Sequence, residues 1–150
     1  MCRIKPGVSR CTDEARLLRF LEKIDTLLPV PLSARVDIKK FARVNLERGY
    51  VLGIEDEEGE LVCAAIFYYH FRAETAAYLD LMATVSDYSG RGYATAVMDA
   101  MEDKAKRDGM TEFHLHTNAA NSKALSLYGK RGYEIIAHDP KVHMKKMLLK

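Results

Sequence analysis

The chain is poor in cysteine: Cys2, Cys11 and Cys63 are three in 150 residues, and none stands in a Cys-x-x-Cys pair. An odd, scattered set supports neither a disulfide framework nor a zinc cage, and it points to a reducing compartment. A charge of one sign is also missing. Lysine and arginine number 23 against 21 acidic residues, a net +2, so the clustered basic excess of sequence-independent nucleic-acid binding is absent. No apolar run approaches the ~20 residues of a membrane span. Residues 1–10 lack the apolar core, about 7–15 residues long, of a signal peptide. These absences predict a cytoplasmic protein with no nucleic-acid and no membrane partner. What is present is ordinary for a globular chain, 48% hydrophobic and 29% charged, which excludes disorder and collagen-like repeats. One domain over 1–150 is expected.

Thr12, Asp13 and Glu14 can cap a helix whose Leu17, Leu21, Ile24 and Leu28 recur at helical spacing until Pro29. After the stiff 29–31 break, Ile38, Phe41 and Ala42 share the face of a second helix, with Gly49 at its end. The period then changes to two. Residues 50–54 read as a strand, 57–60 as a turn and 61–67 as the hairpin partner. A polar loop near Arg72 precedes a third strand over 77–85, with Tyr78, Asp80 and Met82 on one face and Leu79, Leu81 and Ala83 on the other. The next helix buries Ala94, Val97, Met98, Met101 and Ala105 and ends at Gly109. A strand over 112–117, a helix over 121–131 and strands over 133–136 and 142–149 complete the chain. This order predicts a mixed α/β (α+β) single domain.

Two stretches carry chemistry. Ser89-Gly90-Arg91-Gly92-Tyr93-Ala94 lies where a strand becomes a helix. Glycines allow a sharp turn with several N–H groups facing outward, and the helix start adds a positive dipole end, so an anion such as a pyrophosphate suits the site. A dinucleotide fingerprint fails here, because Thr95 stands where its third glycine belongs and the turn follows a meander. A P-loop fails for want of Gly-Lys-Ser/Thr. The second stretch runs from Asn121 to Tyr133. Asn121 suits an N-cap and Gly132 a C-terminal left-handed position. Asn121, Ala124 and Tyr128 share one helix face, which a cap, a packing contact and a core aromatic would also explain.

Together these residues resemble the GNAT superfamily of N-acetyltransferases. Gly92 and Ala94 match its Q/R-x-x-G-x-G/A acetyl-CoA motif, with Ser89 where the family usually has Gln or Arg. Asn121, Ala124, Tyr128, Gly132 and Tyr133 match N-x-x-A-x-x-x-Y-x-x-x-G-F/Y. The two occur in the family's order, about 30 residues apart. The resemblance covers 50–150 well and the first helices more loosely, and the family's first strand is not evident before Thr12. It implies a splayed, mixed, mostly antiparallel sheet flanked by helices, with acetyl-CoA (CoA) as cofactor. The pantetheine would run along Met82, Ala83, Thr84 and Val85. The pyrophosphate would sit on Ser89, Gly90, Arg91, Gly92, Tyr93, Ala94 and Thr95, and Asn121, Ala124 and Tyr128 would complete the cofactor contacts.

The implied reaction is acetyl transfer to a primary amine of a small molecule or peptide by direct attack in a ternary complex. An amine of pKa about 10.4 is neutral in only about one molecule in a thousand at pH 7, a deprotonation cost of roughly 4–5 kcal/mol, so a base is useful. By its place in the motif Tyr128 looks like the acid that protonates the departing thiolate, and a backbone N–H near Met82 or Ala83 would stabilise the oxyanion. The candidates for the base are His116, Asp80 and Tyr78. Magnitude favours His116, whose ordinary pKa lies near 6.5, over Asp80 near 3.9. A solvated strand carboxylate and a hydrogen-bonded strand histidine are the plain structural alternatives. His114 and His116 alternate onto one face, but no third ligand accompanies them at a recognised spacing, so no metal is expected. Tyr68, Tyr69, His70 and Phe71 form an aromatic run suited to core packing or to the wall of an acceptor pocket. A non-catalytic acyl-CoA-binding or regulatory module, another acyl group, an oxygen acceptor and a homodimer all stay open.

Overall fold

The computed structural model describes residues 3–5, 7–28, 30–138 and 141–148. Cys2, Pro29 and the expected strand end at Leu149 lie outside the described residues. Strands and helices follow one another as β1 (Ser9–Arg10), α1 (Glu14–Ile24), α2 (Ile38–Arg48), β2 (Tyr50–Glu55), β3 (Leu61–Tyr69), β4 (Ala76–Thr84), α3 (Tyr93–Arg107), β5 (Glu112–Thr117), α4 (Ser122–Lys130), β6 (Glu134–Ala137) and β7 (Val142–Met147). The strands form one mixed, mostly antiparallel sheet in the order β1-β2-β3-β4-β5-β7-β6. The chain packs as two compact units, Met1–Phe67 with Leu81–Met101 and Tyr68–Asp80 with Glu102–Lys150.

In the first unit, the Asp13 carboxylate accepts the Arg16 N–H at 3.1 Å and starts α1. Leu17, Phe20, Leu21 and Ile24 then face the core. The helix stops earlier than its leucine spacing predicts, and Asp25–Leu27 forms a 3₁₀ turn instead. A carboxylate is unfavourable at a helix C-terminus, and Asp25 binds the N–H and hydroxyl of Ser33 at 2.8 and 2.6 Å. Asp37 caps α2 through the Lys40 N–H at 3.2 Å. Gly49 ends that helix as expected, though not in the left-handed conformation: its φ is −135°. Glycine is needed there because a Cβ would stand 2.6 Å from the Phe67 carbonyl oxygen. The β2–β3 hairpin runs from Tyr50↔Phe67 to Ile54↔Cys63 with a shift at Ile54/Glu55. A first strand, not evident before Thr12 in the sequence, is present as the two-residue β1, paired at Ser9↔Gly53 and Arg10↔Leu52.

In the second unit, β4 and β5 are parallel, from Ala76↔Glu112 to Leu79↔Leu115, the pairing that a helical crossover permits. Strand β5 also pairs antiparallel with β7, including His116↔His143. Gly109 ends α3 at φ 91°, and Met110 N–H reaches back to the Ala105 carbonyl at 2.9 Å, a left-handed helix stop. Gly132 does the same after α4 at φ 96°. Among the described residues, no helix is long and apolar enough to cross a membrane.

Candidate active site

In the first unit, β4 delivers Met82, Ala83 and Thr84, all half-buried, toward a loop that turns into α3. A 3₁₀ turn over Ser86–Tyr88 closes on itself through Tyr88 N–H to Val85 C=O at 2.9 Å. Ser89, in place of the longer residue of the family motif, donates its hydroxyl to the Ser86 carbonyl at 2.9 Å and so tightens the loop. Gly90 and Gly92 have φ of 74° and 81°, and an added Cβ at either would meet nothing within 4 Å. Glycine is required there by backbone conformation rather than by crowding within the chain. The α3 ladder begins with Ala96 N–H to Gly92 C=O at 3.1 Å, so the amides of Tyr93, Ala94 and Thr95 have no partner inside the helix. Left-handed glycines, open space and first-turn amides are a donor set that fits a phosphate group. The nearby Cys63 thiol is inert as a nucleophile, because burial pushes its pKa up to about 11.

In the second unit, the Tyr78 hydroxyl lies 2.9 Å from His116 Nδ1. Burial, then the charge of Asp80, pushes the Tyr78 phenol up to about 12. Burial, then the cations Arg72 and Lys141, lowers the His116 imidazole below its ordinary value. Both groups are therefore neutral at pH 7. Asp80 is exposed on the same strand face as Tyr78. Its charge acts on Tyr78 and Tyr68.

His114 and His116 share a face as the alternation predicts, and the fold adds a third imidazole. His143 of β7 approaches His116 at 4.3 Å between ring centroids and bonds through Nε2 to His114 Nδ1 at 2.8 Å. His114 Nε2 lies 3.2 Å from a Glu112 carboxylate oxygen. Burial, then His116 and His114, lowers His143 to about 4. Among the described residues, no group of three or more His, Cys, Asp or Glu side chains is disposed to hold a metal ion. The aromatic run divides. Tyr69 donates to Asp108 at 2.5 Å, whereas Phe71 stacks on Tyr78 at 4.4 Å and 24°. A turn with two non-glycine left-handed residues, His70 at φ 68° and Arg72 at φ 60°, carries Phe71 there. Each costs about 1–2 kcal/mol. Phe71 N–H to the Ala76 carbonyl at 2.9 Å and His70 Nδ1 to the Glu74 carbonyl at 2.8 Å hold the turn.

Tyr128 is buried on α4, whose start Asn121 caps by accepting the Ala124 N–H at 3.1 Å. Burial pushes the Tyr128 phenol up to about 12, so it keeps its proton at neutral pH. Its ring meets Tyr133 edge-on at 5.8 Å. Tyr133 in turn donates to the buried carboxylate of Glu102 at 2.9 Å. That carboxylate also receives Arg131 at 3.0 Å and Lys146 at 2.7 Å, a network behind Tyr128 that no local motif announces. His143 and Glu102 escaped the sequence reading for the same reason: their neighbours lie about 27–44 positions away along the chain.

A family model described as "Acetyltransferase (GNAT) family" matches residues 17–133. N-alpha-acetyltransferase 30 of Saccharomyces cerevisiae is 33% identical over 64 residues, 43% of this chain and 36% of that protein. The chain thus spans about a third of the length of that relative. The fold matches the ribosomal-protein-S18-alanine N-acetyltransferase of Escherichia coli with a TM-score of 0.76 at 19% identity, covering 96% of this chain and 94% of the other. It also matches the PaiA N-acetyltransferase of Thermoplasma acidophilum, solved with coenzyme A, with a TM-score of 0.71 at 14% identity over 95% and 99% of the chains. With its two motifs in order, its sheet in this strand order and the family model covering most of its length, the chain belongs to the GNAT acetyltransferase family.

Proposed function

We propose that this chain is an acetyl-CoA-dependent N-acetyltransferase that acetylates a primary amine of a small molecule or peptide. The observation that carries the reading is the Tyr78–His116 pair, a protonated phenol against an imidazole held neutral. Acetyl-CoA would supply the acetyl group as a thioester. The amides of Tyr93, Ala94 and Thr95, turned outward by Gly90 and Gly92, would hold its phosphates, with Met82, Ala83, Thr84 and Val85 along the pantetheine.

In this reading the Tyr78 O–H donates to His116 Nδ1, which leaves the imidazole proton on Nε2. A proton leaving the attacking amine passes to the Tyr78 oxygen as the Tyr78 proton passes to Nδ1, and His116 ends as imidazolium. Asp80 helps hold the acceptor while it is still an ammonium. Tyr128, protonated at neutral pH, donates to the departing thiolate. The named activities of the yeast and Escherichia coli proteins support an amine acceptor.

The test is a thiol-release assay over polyamines, aminoglycosides, amino acids and peptide N-termini, beside calorimetry with CoA. Saturable release with at least one amine and CoA binding without added metal are expected. No calorimetric signal at millimolar CoA would overturn the cofactor assignment.

A further inference from the structure

The strained turn that seats Phe71 also presents a cation. Arg72 is exposed, and its guanidinium lies 4.7 Å from the centroid of the Phe71 ring. That ring stacks on Tyr78 and lies 6.3 Å from His116. Its guanidinium rests on the aromatic face. Its charge is nonetheless felt at Tyr68, Tyr78, His116 and His143. Lys141 adds a second positive charge at His116.

Such surroundings are poorly matched to a plain ammonium ion. An acceptor approaching Tyr78 and His116 meets Asp80 as the local anion, but it also meets a guanidinium that repels it. The conflict is removed if the acceptor brings its own negative group. A planar guanidinium with several donors suits a carboxylate, which it can bind through two parallel hydrogen bonds.

We infer that Arg72 is the specificity-determining residue for an acceptor that carries a carboxylate a few bonds from its amine. The carboxylate docks on the Arg72 guanidinium while the amine faces Tyr78 and His116. Two sources share this chemistry: the α-carboxylate of a free amino acid, and the acidic side chain of a peptide's first residue. The inference rests on the amine-acetylation reading but adds a site of its own.

Matched acceptors separate the possibilities. Initial rates are measured with alanine against alaninamide, and with a tripeptide amide beginning with aspartate against the same peptide beginning with asparagine. Alaninamide has the less basic amine, so intrinsic reactivity favours it, and a preference for alanine is informative. At least one acid is expected to exceed its amide about tenfold in kcat/KM, the scale of a charge-assisted contact. Which pair responds identifies the source. Arg72→Gln should bring the two members within about twofold of each other, mainly through KM, and Arg72→Lys should retain part of the preference. Calorimetry supplies a readout free of turnover. N-acetylalanine or N-acetylaspartate should bind the wild type and weaken about tenfold in Arg72→Gln. Equal use of both members of both pairs, an unchanged preference in Arg72→Gln, or no binding of either N-acetyl acid overturns the inference. Arg72-dependent binding of an N-acetyl acid with no transfer to any amine would instead uphold the anion site and overturn the acetyltransferase reading.

Discussion

The Tyr78 hydroxyl and His116 Nδ1 stand 2.9 Å apart on neighbouring parallel strands. The proton path proposed to His116 therefore passes through the Tyr78 hydroxyl. Tyr78→Phe and His116→Ala should each lower kcat/KM at least about tenfold at pH 7, with a smaller deficit at pH 9, where more amine is already neutral. The double variant should cost little more than either single one, since residues acting as a unit are non-additive. Asp80→Asn should cost less, mainly in acceptor KM. Additive losses, or a His116→Ala profile that overlays the wild type from pH 6 to 9, would break the assignment.

The position of the acidic limb is a separate expectation. His116 is lowered from 6.5 by burial and by Arg72, Lys141 and His114. Its base form therefore survives below the ordinary imidazole range, and the acidic limb of kcat/KM should fall below pH 6.5. Removing the Arg72 cation by Arg72→Gln should shift that limb upward. Rates for both proteins across pH 5–8 decide it.

Tyr128→Phe removes one hydroxyl from a buried ring. Turnover should drop about 10–1000-fold, with CoA affinity nearly unchanged by calorimetry. Full turnover with a good acceptor would return Tyr128 to a packing role against Tyr133.

Gly92→Val should leave the circular dichroism spectrum intact while weakening CoA binding more than about tenfold. A β-branched residue resists φ 81° and reorients the amides that follow. Affinity within threefold of the wild type would mean that the cradle lies elsewhere.

Stability should track His143. Its pKa is lowered from 6.5 to about 4 in the folded protein, so between those values the unfolded chain binds more protons. Stability is then fully present above about pH 6.5 and is lost as pH falls toward 4, by on the order of 2–3 kcal/mol. Urea unfolding of wild type and His143→Gln across pH 4–7 measures this, and the variant curve should be flatter. Glu102→Gln should cost about 3 kcal/mol at neutral pH, because Arg131 and Lys146 lose the carboxylate that neutralises them.

The signals legible along the chain are local. Strand β5 falls at the expected residues, Asn121 and Asp13 cap the helices they precede, and Gly109 and Gly132 stop α3 and α4 in the left-handed conformation. Each of these signals acts within a few residues through a side chain's reach or a backbone preference, so it is written where it operates. Pairing across the sheet, by contrast, brings together residues that no local signal links. His143 faces His116 because β7 runs antiparallel to β5 in one register, and a shift of one residue would turn its imidazole to the other face. Phe71 reaches Tyr78 through a turn whose residues carry no turn signature, and Glu102 gathers Arg131, Tyr133 and Lys146 from later elements. The end of α1 was settled by Ser33, eight residues on, and the need for glycine at position 49 by the Phe67 carbonyl. Such contacts depend on distances between elements distant in the chain, and those exist only once the core has packed.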